Sequence, residues 1–199
     1  MAHAVLAWFP NSGYANLFAV VVLCALLADE VIPRLMGGKA RPSESGLDRG
    51  SFLVIYVAST LGLAAGLYFR YYGIGVVPFW AQAFALFLVI IGAVLRGWAI
   101  VLLGRYFSRT VTIEEGHQLI TSGPFRLIRH PAYTGMLIVD TAIILGLGTW
   151  VGAAVMFAVL LGAVLYRIQV EEKALLEKFG DQYRAYMQVT GRLFPHDDN

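Results

Sequence analysis

A small set of side chains in the second half of the chain has the types and spacing for chemistry. Arg129 and His130 stand directly before Pro131, Ala132, Tyr133 and a long apolar run, and further on Arg167 is followed by Glu171 and Glu172. Pro131 has no N–H and disfavours helix at the residue before it, which makes His130 a natural cap and Pro131 a natural first helical residue. The helix that follows is expected to present unpaired backbone N–H groups at Ala132 to Thr134, and such a helix start binds anions. With Arg129 and His130 beside it, the segment reads equally as a carboxylate or phosphate cradle and as a helix cap with a snorkelling arginine. Arg167 and Glu171 are four residues apart and share a helical face. By spacing alone they read as a solvated pair of little energetic weight.

The elements that must position these residues belong to a bilayer. Of the 199 residues, 58% are hydrophobic and only 14% charged, and the mean hydropathy of +0.68 belongs to the polytopic membrane class. Apolar runs over 14–32, 52–69, 78–103, 133–145 and 151–166 predict an all-α protein with about five spans. A span needs about 20 residues, so the fourth is short; with the fifth it is expected to form a hairpin turned by Gly146-Leu147-Gly148-Thr149-Trp150 and partly shielded by protein. Residues 1–103 then form an N-terminal region of three spans, and 104–199 a region that carries the chemistry and a cytoplasmic tail.

Charge sets the orientation. Arg34, Lys39, Arg41 and Arg49 follow the first span, Arg105, Arg109, Arg126 and Arg129 follow the third, and the opposite loops offer little beyond Arg70. The basic loops are expected in the cytoplasm, with the N-terminus outside and the C-terminal tail inside. The first apolar run has its basic cluster after it, the reverse of a secretory signal, and reads as a retained helix. A net charge of +2 is accounted for by topology and does not point to nucleic acid. The single Cys24 excludes an internal disulfide, and the scattered His3, His117, His130 and His196 do not suggest a metal site. Arg96 and Asp140 fall inside spans at similar depths of roughly 10 to 12 Å, which predicts an intramembrane pair. Gly62-x-x-x-Gly66 reads as a helix-crossing surface.

The ordered set Gly116-His117-Gln118-Leu119-Ile120, Gly123-Pro124-Phe125, Arg129-His130-Pro131-Ala132-Tyr133-Thr134-Gly135, a hydrophobic hairpin, and Glu171-Glu172 ahead of Phe179-Gly180-Asp181-Gln182-Tyr183 closely resembles the isoprenylcysteine carboxyl methyltransferase family. Phospholipid methyltransferases share the pattern more loosely. The resemblance covers residues 104–195; the first two spans carry no recognisable motif. It implies an integral membrane enzyme that uses S-adenosylmethionine, releases S-adenosylhomocysteine and has no Rossmann domain. The chain agrees in lacking a Gly-x-Gly-x-x-Gly followed by a βα unit. By the same resemblance His117, Gln118, Leu119, Ile120, Phe125, His130, Pro131, Ala132 and Tyr133 line the cofactor pocket, Glu171 is its acidic contact, and Arg167 is the substrate contact. Phe125 stands where many members have Tyr, and Thr110 matches poorly at a further position near the cofactor.

A physical account accompanies these assignments. Glu171 suits the cofactor ammonium, the N–H groups after His130 its carboxylate, and Tyr133, Phe125 and Trp98 are candidates to face a sulfonium cation. An ionised carboxylate acceptor needs an orienting cation more than a base, which makes Arg167 and Arg129 the expected catalytic residues. An amine would need a proton acceptor, for which Glu172 and Asp140 are the candidates. The expectation is methyl transfer to a lipophilic acceptor entering from the bilayer, most simply carboxyl methylation of a prenylcysteine-like or other lipid acid. Lipid N-methylation and a non-catalytic scaffold of the same fold are the alternatives. No obligate protein partner is evident.

Overall fold

The computed structural model describes residues 9, 12–36, 48–108 and 118–195; His117, Arg109 and Thr110 lie outside them. Among the described residues six helices follow one another: α1 (Ser12–Leu35), α2 (Ser51–Tyr71), α3 (Phe79–Leu103), α4 (Pro131–Gly146), α5 (Trp150–Phe179) and α6 (Asp181–Gln188). Short 3₁₀ turns occupy Gly104–Tyr106 and Gly123–Arg126. Among the described residues there is no strand, only isolated bridges at Val76–Thr149 and Ile128–Gly191. Helices α1, α2, α3 and α5 are long and apolar enough to cross a membrane. The all-α, multi-pass architecture expected from hydropathy is what the chain adopts.

Helix α4 has 16 residues, about 24 Å at the helical rise, short of the roughly 30 Å hydrocarbon layer. Its burial compensates. Eight of those residues are buried, against four of the 24 in α1, so α4 is the centre of the bundle and α1 its edge. The helices pack in the order α1, α3, α4, α5, α2, and the two ends of that row scarcely touch. Lipid tails give apolar helices little reason to associate, so close approach relies on small residues. A Cβ on Gly135 would lie 2.6 Å from the Gly92 carbonyl oxygen, which locks α4 onto α3. On the other side Gly62 and Gly66 bring α2 against Met156 and Ile144, where an added Cβ would approach to 2.5 and 2.6 Å.

Helix α5 extends well past the apolar run that ends at residue 166. Its 30 residues span about 45 Å and carry Arg167, Glu171 and Glu172 in one unbroken rod. At one end the hydroxyl of Thr149 accepts from the Gly152 N–H at 3.2 Å and donates to the Ile74 carbonyl at 2.8 Å. At the other, Gly180 adopts φ 52° and closes the helix with a bond from its N–H to the Leu176 carbonyl.

The expected pair between Arg96 and Asp140 does not form. Arg96 instead grips Asp29 of α1 with Nε and Nη2, the latter at 3.2 Å from Oδ2, and donates from Nη1 to the Ala132 carbonyl at 2.9 Å. Asp140 accepts from Ser59 of α2 at 3.1 Å. Equal depth put the two charges at one level, but their azimuths on α3 and α4 bring different neighbours within reach. We predict that a double-mutant cycle of Asp29→Asn and Arg96→Met, read by thermal unfolding in detergent, gives a coupling of about 1 kcal/mol or more, because either single change leaves the other charge uncompensated. The cycle of Arg96 with Asp140 should give a clearly smaller value.

Candidate functional site

The site is built where α4 begins. His130 is the residue before the helix and Pro131 its first residue, as the local sequence requires, but the His130 ring makes no capping bond. The backbone N–H groups of Tyr133 and Thr134 fold back onto the His130 carbonyl at 3.0 and 3.1 Å. The expected anion cradle is thereby largely used up, since a tight first turn satisfies donors that a looser one would leave open.

Two neighbouring carboxylates take different tasks because successive helical residues point about 100° apart. Glu172, 3% exposed, turns inward. It receives Arg129 Nε at 3.0 Å, Arg192 Nη2 at 2.8 Å and the His130 ring at 3.4 Å. Arg129 also donates to the carbonyls of Met187 and Thr190. Glu171 faces the other way and accepts from the Tyr133 hydroxyl at 2.8 Å. That hydroxyl accepts in turn from Arg167 Nε at 3.0 Å. Arg167, 2% exposed, is further held by Asp48 and by the Ser51 hydroxyl at 2.8 Å. Asp48 meanwhile accepts from the Phe52 N–H of α2 at 3.2 Å. The outcome is a chain of donors from Arg167 through Tyr133 to Glu171, anchored at its cationic end.

A cleft opens on this chain. Gln118, Leu119, Ile120, Phe125, His130, Pro131, Ala132, Tyr133 and Glu171 of the expected cofactor set all border it, as do Arg129 and Arg167. Trp98 does not; it is exposed and packs at Gly123. Residues to which the sequence assigned no role complete the wall, chiefly Phe107, Leu175, Tyr183 and Tyr186. Burial pushes the Tyr183 phenol up, with the charges of Glu172 and Glu171 adding to it, and pushes Tyr186 up to about 12 against the opposing effect of Arg129. Both are therefore protonated donors at neutral pH. The Tyr186 hydroxyl donates to the Phe125 carbonyl at 2.6 Å. That of Tyr183, on a residue 1% exposed, has no hydrogen-bond partner among the described residues.

A second cavity, of about 590 Å³, lies between the helices on the far side of Tyr133 and Arg167, which border both spaces. Its wall comes from all five long helices and is mainly apolar, with Asp29, Arg96, Ser59 and Asp140 among its polar members. That volume is in the usual range for a small-molecule site.

Fold and site together define a multi-pass membrane protein in which a cleft and an intramembrane cavity share a wall of Phe107, Ser108, Tyr133 and Arg167. Residues 85–177 match the isoprenylcysteine carboxyl methyltransferase (ICMT) family. The match begins earlier than the motifs read from sequence and takes in most of α3. Protein-S-isoprenylcysteine O-methyltransferase A of Arabidopsis thaliana is 37% identical over 118 residues, 58% of this chain and 60% of that protein. The methanethiol S-methyltransferase of a Pseudomonas strain is 30% identical over 114 residues, 50% and 42% of the respective lengths. The structure of a eukaryotic intramembrane Ras methyltransferase, ICMT, superposes with a TM-score of 0.55 at 27% identity, over 70% of this chain and 51% of that one. The chain thus spans about three fifths of the Arabidopsis relative and less of the other two.

The two tyrosines give a matched test of the cleft. Tyr186→Phe should lower the stability of the ligand-free protein by about 1 kcal/mol, the worth of one hydrogen bond. Tyr183→Phe should leave it unchanged or raise it, since the hydroxyl removed there was unsatisfied. Melting curves of the two variants side by side check the pair.

Proposed function

We propose that the chain is an S-adenosylmethionine-dependent methyltransferase that esterifies the carboxylate of a lipophilic acceptor, a prenylcysteine-like acid. The observation that carries this reading is the shared wall. A polar ligand in the cleft and an apolar one in the membrane cavity meet at Tyr133 and Arg167, the arrangement that a transfer between a water-soluble donor and a lipid requires.

The residues of the cleft fit the cofactor. Glu171 suits its ammonium, and the unpartnered Tyr183 hydroxyl offers a donor to one of its oxygen or nitrogen acceptors. Phe125, Tyr183 and Tyr186 present aromatic faces to a cation, while Leu119 and Ile120 form an apolar wall for a base. When bound, S-adenosylmethionine supplies an electrophilic methyl group. The protein then has to hold the acceptor oxygen close and in line and to keep water away. Arg167, pinned by Asp48, Ser51 and Tyr133, sets a positive charge at the junction where an acceptor carboxylate would lie. A carboxylate is already ionised at neutral pH and needs no base.

An amine acceptor would need one, and the carboxylates are poorly placed for that work. Glu172 is enclosed by Arg129, Arg192 and the His130 ring, Glu171 is engaged by Tyr133, and Asp140 lies two helical turns away from the junction. Arg129, expected beside Arg167 as catalytic, is better understood as a positioning residue that acts through Glu172 and the C-terminal turn. The basic loops are placed on the cytoplasmic side, with the N-terminus outside, in keeping with the charge asymmetry.

Methyl transfer from labelled S-adenosylmethionine to prenylcysteine, fatty-acid and aminophospholipid acceptors in nanodiscs tests the reading, with base-labile product marking an ester. Glu171→Gln should raise the Kd of S-adenosylhomocysteine by roughly 10- to 100-fold, the loss of a charge-assisted bond, as measured by calorimetry. Arg167→Lys should lower kcat/KM by about tenfold or more, because a point charge cannot replace a planar fork held at three places. Cofactor titration of that same variant should stay within about threefold of the parent.

A further inference from the structure

Away from the junction at Tyr133 and Arg167, the membrane cavity carries further polar residues to which the proposed transfer gives no part, and one of them is poorly satisfied. Asp140 borders the cavity and takes a single hydrogen bond, from Ser59 on its Oδ2; Oδ1 accepts from none of the described residues. The nearby cation makes no direct bond to it: Arg96 turns Nε and Nη2 to Asp29 and Nη1 to the Ala132 carbonyl, and acts on Asp140 only through space. Tyr133, Met136, Asp140 and Ile143 all border the cavity at spacings that keep them on one face of α4. Asp140 therefore lies directly below the junction, seven residues or about 10 Å from Tyr133. A pure hydrocarbon filling the cavity would strip water from this side chain and leave it one donor, which is costly.

We propose that the cavity is built for an acceptor bearing a hydrogen-bond-donating hydroxyl about 10 Å from the carboxylate that is methylated, with Asp140 as the residue that receives it. The proposal rests on the assignment of the acceptor to this cavity. It differs from a purely structural role, in which Ser59 and Asp140 only tie α2 to α4 and the occupant is indifferent.

The experiment uses the full chain in nanodiscs and three probes: N-acetyl-S-dodecylcysteine, the same compound with one hydroxyl about 10 Å from its carboxyl carbon, and an isomer with the hydroxyl at the chain end. The first hydroxylated probe should show kcat/KM at least about tenfold above the plain chain, as one well-placed polar contact allows, and the end isomer no such gain. In Asp140→Leu the ratio should fall to one or below; in Asp140→Asn, which keeps an acceptor oxygen and the shape, it should fall while remaining above one. Displacement of a fluorescent acyl probe, read without turnover, should give the same ranking. Absence of ester from every probe would overturn the methyl-transfer reading, while the displacement ranking would still decide this one. Equal values for the plain and hydroxylated chains in the parent protein, or a preference that survives Asp140→Leu, would overturn the proposal.

Discussion

The buried carboxylate of Glu172 is the constraint around which the half of the molecule that holds the cleft is arranged. An ionised group at that depth is tolerable only when fully paired, and two arginines and a histidine ring converge on it from separate parts of the chain. Arg129 and His130 come from the loop before α4, Arg192 from the segment after α6. To deliver Arg192, the tail must return along residues 127–130, where Arg129 and His130 donate their N–H groups to the carbonyls of Gly191 and Arg192 at 2.8 and 3.1 Å. The hydroxyl of Thr134 then holds the Leu193 carbonyl at 2.9 Å. One charge thus stitches α5, the start of α4 and the C-terminal segment into a single frame, and the direction of the Tyr133 side chain follows from it.

That frame explains how adjacent acidic residues come to have unlike work. Glu172 is consumed by architecture, which leaves Glu171 as the carboxylate of the pair that borders the cleft. Arg167, one turn earlier, is braced from another quarter by Asp48 and Ser51 at the start of α2. The region of the first two spans, which carries no recognisable motif, therefore reaches the site directly and contributes more than a bundle to stand in.

Much of this was legible in the sequence for reasons of periodicity and punctuation. Long apolar runs specified the helices, and Pro131 the start of α4. What failed was whatever depended on azimuth or on partners distant in the chain. Arg96 and Asp140 matched in depth, yet depth says nothing of the direction in which a side chain leaves its helix, and Asp29 won the arginine. The N–H groups at the start of α4 looked open because a linear reading cannot see a first turn tighten onto the His130 carbonyl. Asp48 lies outside the usual cap position, which Gly50 holds, so neither its bond from the Phe52 N–H nor its role with Arg167 had a signal in the sequence. Tyr183 sat inside a recognised motif, but an unsatisfied hydroxyl is a property of packing and leaves no trace in composition.

The continuity of α5 makes it a gauge. The same rod crosses the bilayer and carries Arg167 and Glu171, with no hinge between the lipid-facing stretch and the polar one. Position along it and angle around it are therefore coupled: each residue advances about 1.5 Å and turns about 100°. One extra residue between Arg167 and Glu171 would preserve hydropathy, charge and every motif, yet swing the acidic side chain about a quarter-turn off the face that Tyr133 reaches. Length in this segment is as strictly specified as composition, and a chain of this kind can drift in its loops far more freely than in those few helical steps.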